Sequence, residues 1–445
     1  MNEHDSERIA GVLAVDGLVP TDDLESADVI VLNTCCIREN ADNKLYGHLG
    51  RLKALKDRRP DLQIAVGGCL AQKDRDVIVE RAGHVDVVFG THNLAHAPAL
   101  LAESARRGEP IVEILEEHEA YPSALPAQRE VDHRAWLTIQ IGCDNSCAFC
   151  IVPSVRGAEV SRRMGDIVHE VERLARDGVS EITLLGQNVN SYGRDLGAGQ
   201  WSPQFADLLR SVDAIEGIDR IRFTSPHPKD LRAETVAAMA ECAGVCEHLH
   251  LPVQSGSDRT LTRMRRGYTA ERYLEKLAMA RAAIPDLAVT SDIIVGFPGE
   301  TEADFAATME LADIARYDAA YIFIFSPRPG TAAAEMVDDF VPEAVARERM
   351  DRLTAVVERH GYAKHLARVG RTEAALVEGP SKKDPRVMSG RTRQNKLVHF
   401  EGHAPVGATV EVTITKAAPH WLRGDLGAVL SRPRPARTRI PVSAG

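Results

Sequence analysis

Short apolar runs alternate with helix-forming stretches along the first part of the chain. Residues 28–33 (DVIVLN) and 62–67 (LQIAVG) are rich in β-branched residues, and a helix-forming segment follows each run. This alternation is typical of a parallel sheet covered by helices, and such sheets place their ligand sites beyond the carboxyl ends of the strands. Cys35 follows the first run and Cys69 follows the second. We therefore predict a doubly wound parallel-sheet domain over residues 1–115, with a cysteine after each of these two strands.

The chain begins with a helical pattern. Residues 5–13 have apolar positions at helical spacing, and no strand-like run precedes them. A parallel sheet of this kind would supply a strand before its first helix. We therefore expect the first strand of the domain to lie ahead of residue 1.

A longer pattern repeats a strand, a loop and a helix six times after a linker that starts near residue 116. Residues 167–175, for example, have the spacing of a half-buried helix that ends at Gly178. Six such units in series require parallel strands with right-handed crossovers, and curling them produces a partial (β/α)6 TIM-like barrel. We predict this α/β barrel over residues 129–362. The predicted strands are 136–141, 181–185, 220–224, 248–252, 289–295 and 321–325.

The last part of the chain has the period of β-strands. Apolar and polar residues alternate at 375–377, 396–400 and 409–415, with glycine and proline turns between these runs. We predict a small β-barrel over residues 365–433 and a flexible tail over residues 434–445. A length of 445 residues is enough for the three domains.

The charge is divided unevenly between these domains. The net charge of −10 is the sum of +9 for residues 361–445 and −19 for residues 1–360. A basic module on an acidic body predicts that a polyanion binds at this end, and a solvated charged tail is the alternative. No apolar run is long enough to span a bilayer, and the polar start lacks a signal-peptide pattern. We therefore expect a cytoplasmic protein without a membrane partner, whose eight cysteines serve metal binding or catalysis.

Three cysteines lie within eight residues, directly after the first predicted barrel strand. Cys143, Cys147 and Cys150 have gaps of three and two residues, so one loop can place thiolates at three corners of a cubane iron–sulfur cluster. The fourth iron then remains open for a substrate or cofactor. Zinc would need a fourth ligand, and the loop itself holds none. An iron–sulfur cluster is the favoured interpretation, with zinc or a trio of core cysteines as the alternatives.

Two further cysteines imitate this motif. Cys242 and Cys246 repeat the first gap, and two histidines follow them, but Leu249 stands where the third cysteine would be. We interpret both cysteines as packing residues.

The cysteine loop at the start of a partial barrel resembles the radical S-adenosylmethionine (SAM) superfamily. In that superfamily the open iron chelates SAM, and the reduced cluster cleaves SAM to a 5′-deoxyadenosyl radical. Residues 151–162 (IVPSVRGAEVSR) are similar to the methylthiotransferase branch. In this branch a flavodoxin-like amino-terminal domain holds a second 4Fe-4S cluster, and a carboxyl-terminal TRAM domain binds RNA.

The resemblance implies SAM and two 4Fe-4S clusters as cofactors. Cys143, Cys147 and Cys150 would bind the cluster that cleaves SAM, and Cys35 and Cys69 would bind the auxiliary cluster. The family's third auxiliary ligand is a cysteine just ahead of a Met-Asn pair, which is where this chain begins. We expect that ligand, like the first strand, upstream of residue 1.

Cys36 could replace the missing ligand only if its side chain turned toward the same cluster as that of Cys35. Neighbouring side chains on extended chain usually point apart, so we interpret Cys36 as a bystander.

Four loops resemble one particular family within the methylthiotransferase branch. Residues 40–47, 185–193, 251–257 and 264–269 are similar to the bacterial family that 2-methylthiolates N6-isopentenyladenosine beside the anticodon of tRNA. The alternatives are the ribosomal-protein aspartate methylthiotransferase and, from another class, a non-catalytic tRNA-binding protein with structural zinc. The resemblance implies tRNA, an electron donor of the flavodoxin or ferredoxin type and a sulfur source as partners, and a monomer.

Two sets of side chains are candidates for ligand contacts. The strand-end loops supply the candidates for SAM: Gln187, Ser225, Gln254, Asp292 and Gly296. The basic β module supplies the candidates for RNA phosphates: Lys382, Lys383, Arg386, Arg391, Arg393 and Lys396.

Overall fold

The computed structural model describes residues 1–35, 39–116, 125–197 and 204–434, the side chains of residues 39–42 excepted. Cys36 and the tail from residue 435 onward lie outside the described residues. The chain divides into two compact units. The first comprises Met1–Glu130, Gln140–Arg162 and Ser326–Ala334; the second comprises Val131–Ile139, Arg163–Phe325 and Glu335–Gly445. The cysteine loop therefore belongs to the first unit, although the sequence places it inside the barrel domain.

A four-stranded parallel sheet in the order β1-β2-β3-β4 organises the first unit. Its strands are β1 (Val29–Thr34), β2 (Gln63–Gly68), β3 (Val87–Phe89) and β4 (Ile111–Glu113). Its helices are α1 (Asn2–Val15), α2 (Glu39–Arg58), α3 (Cys69–Asp74), α4 (Asp76–Arg81) and α5 (Ala97–Arg107). Ile64 of β2 belongs to the same apolar cluster as Leu45 of α2, while Ala65 shares a second cluster with Ile9 and Leu100. Alternate strand residues thus contact helices on opposite faces, and the doubly wound prediction is confirmed.

Strand β1 forms one edge of this sheet. A cleft of about 1190 Å³ lies beside it, lined mainly by residues of α1 and β1 and by the segment between them. Helix α1 precedes β1, as the helical pattern of residues 5–13 predicts.

The six predicted barrel strands are present in the second unit, although the first is shorter than predicted. They form two parallel three-stranded sheets, β5-β8-β9 and β10-β11-β12, and a bridge between Ile221 and Val245 links the two. The strands are β5 (Arg134–Thr138), β8 (Glu181–Leu185), β9 (Arg220–Phe223), β10 (His248–His250), β11 (Ala288–Val295) and β12 (Ala319–Ile324). The helices are α7 (Met164–Arg176), α8 (Phe205–Asp213), α9 (Ala233–Glu241), α10 (Asp258–Arg263), α11 (Ala270–Ala283), α12 (Glu302–Ala315) and α13 (Glu343–Leu366).

The predicted first strand, 136–141, is divided in two. Its end forms β6 (Gln140–Ile141), which pairs antiparallel with β7 (Val160–Ser161) across the cysteine loop and the short helix α6 (Val152–Arg156). The reason lies at Gly142, where φ is +75° and a Cβ atom would lie 1.9 Å from the carbonyl oxygen of Ala158. Only glycine permits this turn and close approach.

The predicted small β-barrel closes in the order β13-β14-β15-β17-β16. Its strands are β13 (Thr372–Pro380), β14 (Val387–Thr392), β15 (Leu397–Glu401), β16 (Thr409–Ala417) and β17 (Leu422–Ser431). Its interior is apolar and includes Val377, Phe400 and Ile414, the inward residues of the alternating runs. Within the described part of the chain, every helix is too short or too polar to cross a membrane.

Candidate active site

The three-cysteine loop connects β6 to α6. The amide of Cys143 donates to the carbonyl of Gly157 (3.2 Å), which closes the base of the loop, and the amide of Cys150 donates to the carbonyl of Cys147 (3.1 Å), which turns its end. The amide of Ala333 donates to the carbonyl of Ala148 (2.7 Å), so the segment after β12 also holds the loop. All three cysteines are half-buried, and their backbone is fixed on both sides.

The donor set fits iron at three corners of a cubane. Burial raises the pKa of the Cys143 thiol, a hydrogen bond from Asn145 opposes this, and the neighbouring Cys147 raises the pKa again. Two thiolates placed so close repel each other unless cations lie beside them. The described residues contain no group of three His, Cys, Asp or Glu side chains set to hold a single metal ion. In a cubane the thiolates bind separate irons and are spread around the cluster.

Cys35 and Cys69 lie at the same end of the parallel sheet. Thr34 of β1 is paired in register with Gly68 of β2, and each cysteine is the next residue along its strand. Gly68 has φ +91°, and a Cβ there would lie 2.1 Å from the Asn33 side-chain oxygen. The sheet therefore brings the two predicted auxiliary ligands together at its carboxyl edge, as parallel pairing requires.

Arg156 joins the two sets of cysteines. It ends helix α6, directly after the cysteine loop, and it is buried. Its guanidinium donates to the carboxylate of Asp5 on α1 (2.5 Å) and also hydrogen-bonds the sulfur of Cys69. Burial alone would lower the pKa of this guanidinium, but Asp5 and Cys69 raise it above its ordinary value. Arg156 therefore stays charged and fixes α6 beside the end of β2.

Four of the five predicted SAM-contact residues lie on two pairs of neighbouring segments in the second unit, with Asp292 inside strand β11. The amide of Gln254 donates to the carbonyl of Asp292 (2.9 Å), and the amide of Val189, two residues after Gln187, donates to the carbonyl of Ser225 (3.3 Å). Ser225 and Gln254 have φ values of +62° and +70°, which non-glycine residues rarely adopt. Such strained backbone is concentrated at functional sites.

Gly296 follows β11 in the left-handed conformation. Its φ is +70°, and a Cβ would lie 2.7 Å from that of Ala346. The amide of Gly296 donates to the carboxylate of Glu300 (2.8 Å), which also pairs with Arg349 (2.8 Å). Gly296 is therefore needed for the packing of this loop, and its role toward SAM stays a prediction.

The predicted RNA contacts separate into an exposed and an internal group. Lys382, Lys383 and Arg386 are exposed on the β13–β14 connection. Lys396 is buried, and its ammonium lies 2.7 Å from Asp318, while Arg393 pairs with Glu247 (2.8 Å). The predicted phosphate contacts at Lys396 and Arg393 are therefore corrected, because both side chains pair within the fold, whereas the pair of Arg386 with Asp384 (3.0 Å) is exposed. Arg391 is half-buried and lies 3.5 Å from Glu378.

Two arginines on β9 of the β/α barrel hold the small barrel in place. Arg220 donates to the carbonyls of Arg391 (2.8 Å) and Ala374 (3.1 Å) in the small barrel. Arg222 donates to the carbonyls of residues 393 (3.0 Å) and 392 (2.9 Å). The amino-terminal end of the β/α barrel thus holds the start of the β14–β15 turn by charge-assisted hydrogen bonds.

The ion pair between Asp318 and Lys396 makes the contact of the small barrel with the β/α barrel sensitive to pH. Burial alone would raise the pKa of its carboxyl, but Lys396 and Lys364 lower it from 3.8 to about 2. Because the pKa of Asp318 is lower in the folded state, its ionised carboxylate stabilises the fold by about 2 kcal/mol above pH 3.8. This stabilisation is lost as the pH falls through about 2. We expect the melting temperature of the wild type to fall more steeply than that of Asp318→Asn from about pH 4 downward, measured by near-UV circular dichroism. Parallel pH profiles would contradict this role.

The second cysteine pair, Cys242 and Cys246, is part of the core. Cys242 and Cys246 are both buried, and burial raises the pKa of Cys242 to about 11. His248 and His250 both hydrogen-bond the hydroxyl of Thr290 (3.1 and 3.0 Å). These contacts agree with the interpretation of both cysteines as packing residues.

Comparisons with known proteins match all three parts of the chain. Residues 1–90 match the uncharacterized protein family UPF0004, residues 137–312 the radical SAM superfamily and residues 366–426 the TRAM domain. Curated relatives named tRNA-2-methylthio-N(6)-dimethylallyladenosine synthase match almost the full length. The protein of Acidothermus cellulolyticus is 54% identical over 96% of this chain and 86% of its own. The protein of Parafrankia sp. is 52% identical over 98% of this chain and 89% of its own.

The chain belongs to the tRNA-2-methylthio-N(6)-dimethylallyladenosine synthase family. The radical SAM resemblance of the cysteine loop and the methylthiotransferase resemblance of residues 151–162 are thereby confirmed. A solved structure of the radical SAM methyltransferase TsrM from Kitasatospora setae has a TM-score of 0.54 at 15% identity, covering 75% of this chain and 72% of its own. This likeness confirms the fold only.

The structure of this synthase family member also shows functional residues that the sequence pattern does not predict. Arg156 lies within residues 151–162, but nothing in the sequence pairs it with Asp5 or Cys69. Arg220 and Arg222 could have been noticed, because two charges alternate with apolar residues in a buried parallel strand.

Proposed function

We propose that this protein adds a methylthio group to the adenine ring of N6-isopentenyladenosine, next to the anticodon of tRNA, to form 2-methylthio-N6-isopentenyladenosine. The proposal rests on the presence of both sets of cysteines in the first unit. This unit holds the three-cysteine loop and the Cys35–Cys69 end of the sheet in one compact body, joined through Arg156. A binding protein with one structural zinc would need a single closed set of ligands and not two separate sets of thiols.

Each set of cysteines has its own role. Cys143, Cys147 and Cys150 hold the 4Fe-4S cluster that binds SAM, and Cys35 and Cys69 contribute to the auxiliary cluster. When bound, the clusters and SAM supply the one-electron chemistry, the methyl group and the sulfur handling that the protein side chains lack. The loop around Cys143 keeps its thiolates half-buried, which limits the access of water and stray reductants to the reacting centre.

The small barrel serves tRNA. Its exposed cations Lys382, Lys383 and Arg386 contact phosphates, and its anchoring by Arg220 and Arg222 keeps their position fixed relative to the β/α barrel. An electron donor of the flavodoxin or ferredoxin type and a separate sulfur source complete the reaction. The protein works as a monomer in the cytoplasm.

Reconstitution tests the proposal. The chain is loaded anaerobically with iron and sulfide, then supplied with SAM, a reductant and tRNA that carries N6-isopentenyladenosine. We expect about eight irons per chain where both cubane clusters assemble, and about four with little methylthiolation where only the three-cysteine loop is loaded. With both clusters, mass spectrometry of the digested tRNA should show a new 2-methylthio nucleoside. Stoichiometric zinc with tRNA binding and no new nucleoside would instead indicate a binding protein. Modification of a ribosomal-protein aspartate would identify the other methylthiotransferase activity.

A further inference from the structure

The six strands of the β/α barrel have a polar inner face. Alternate residues such as Leu249, Val289 and Ile293 pack into the apolar core beneath the helices. The residues between them point to the opposite side of each strand, because side chains alternate along a strand. The inner face so defined includes Trp136, Thr183, Arg222, His250, Asp292 and Tyr321.

Three of these side chains form one group: His250 at the end of β10, Asp292 within β11 and Tyr321 within β12. Asp292 and Tyr321 are register partners on neighbouring strands. The Nε2 atom of His250 lies 3.4 Å from the Asp292 carboxylate, and its Nδ1 atom lies 3.0 Å from the Thr290 hydroxyl. The ring of Tyr321 meets that of His250 edge to face, with centroids 6.3 Å apart.

Tyr321 is unusual for a barrel strand. Its neighbours Ala320 and Ile322 pack against the core, whereas Tyr321 is 61% exposed. A tyrosine ring on a concave polar face offers a flat apolar surface to a ligand rather than to the protein. Besides its contact with His250, the exposed Tyr321 ring keeps enough surface to receive a planar group.

We propose that Tyr321 stacks on an adenine ring and that Asp292, oriented by His250, accepts a hydrogen bond from the exocyclic N6–H group of that adenine. Enzymes that modify a base inside folded RNA expose it from its stack and bind it by aromatic stacking and by hydrogen bonds to its edge. The inference rests on the proposed function, whose substrate is an adenosine of tRNA. SAM also carries adenine, so the two sources are separated by experiment.

The test uses the reconstituted holoenzyme with Tyr321→Ala, Tyr321→Phe and, as a matched control, Tyr362→Ala at another exposed tyrosine, on α13. One arm measures the affinity for an anticodon stem-loop that carries N6-isopentenyladenosine, by fluorescence anisotropy at fixed salt. The other arm measures the KM for SAM in the cleavage that runs without RNA. Equal iron content in all variants shows that the fold and the clusters are retained.

We expect Tyr321→Ala to weaken stem-loop binding by about tenfold or more, the loss typical of one base–aromatic stack, with the KM for SAM unchanged. Tyr321→Phe should retain binding because it keeps the ring, and Tyr362→Ala should retain it because it lies outside the inner face. An increase confined to the KM for SAM would support the adenine site and assign it to SAM. Unchanged values in both arms, or equal losses in Tyr321→Phe and Tyr321→Ala, would overturn the inference.

The two proposals fail separately. Wild-type holoenzyme that never methylthiolates the tRNA contradicts the proposed function, while the SAM arm still tests adenine binding. If the wild-type holoenzyme and Tyr321→Ala modify tRNA equally well, only the proposed adenine site is contradicted.

Discussion

Replacement of Cys143 by alanine is expected to abolish the reductive cleavage of SAM while tRNA binding is retained. Cys143 lies at the base of the three-cysteine loop, where its amide is fixed by Gly157. Without its thiolate only two protein ligands remain for the cluster, and an iron corner is lost. The small barrel with its exposed cations belongs to the other unit, so its RNA affinity should not change.

The measurement is the yield of 5′-deoxyadenosine from SAM under reducing conditions, with tRNA affinity determined on the same preparation. Cys242→Ala is the matched control, because Cys242 is a buried cysteine of the core. That variant should cleave SAM as the wild type does. Cleavage that survives in Cys143→Ala would remove the basis for assigning the loop to the SAM-cleaving cluster.

Removal of the Asp5 carboxylate is expected to destabilise the first unit by about 3–5 kcal/mol, the cost typical of leaving one buried charge without its partner. The side chains of Asp5 and Arg156 are each only 5% exposed and lie 2.5 Å apart. In Asp5→Ala the guanidinium of Arg156 would remain buried without the carboxylate that pairs with it. Calorimetry should show a lower melting temperature for the transition of the first unit.

Glu25→Ala provides the comparison for this prediction. Glu25 pairs with Arg58 at 3.0 Å, but the two side chains are 70% and 60% exposed. Exposed pairs of this kind contribute at most about 1 kcal/mol, because water screens them. If Asp5→Ala and Glu25→Ala lowered the melting temperature equally, the buried pair would not be what holds α6 to α1.

Most of the fold was predictable from local patterns. The apolar runs predicted β1 and β2, and the alternating runs predicted three of the five strands of the small barrel, β13, β15 and β16. The strand–helix repeat predicted all six parallel strands of the β/α barrel. These patterns are readable because a strand or helix buries one side, and the period of burial is written in adjacent residues. The predicted strand 136–141 was wrong at its end, where the close approach of Gly142 to Ala158 diverts the chain.

The charged residues were predicted less well. Lys396 and Arg393 have the same local sequence character as Lys382 and Lys383, and all four were predicted to bind phosphate. Only the fold shows that Asp318 and Glu247 neutralise the first two. Charge along the sequence gives the net balance of a module, but the partner of each charge comes from a distant segment.

The sequence alone determined the chemistry of this protein, because the spacing of Cys143, Cys147 and Cys150 is local and its ligand geometry depends on one short loop. The tertiary structure alone decided which body holds that loop, and that Arg156 links it to Cys69 and Asp5, residues more than 80 positions away. It also decided that Tyr321 is exposed while its neighbours Ala320 and Ile322 pack against the core. The physical reason is that spacing fixes what one segment can bind, whereas burial and pairing depend on segments that only folding brings together.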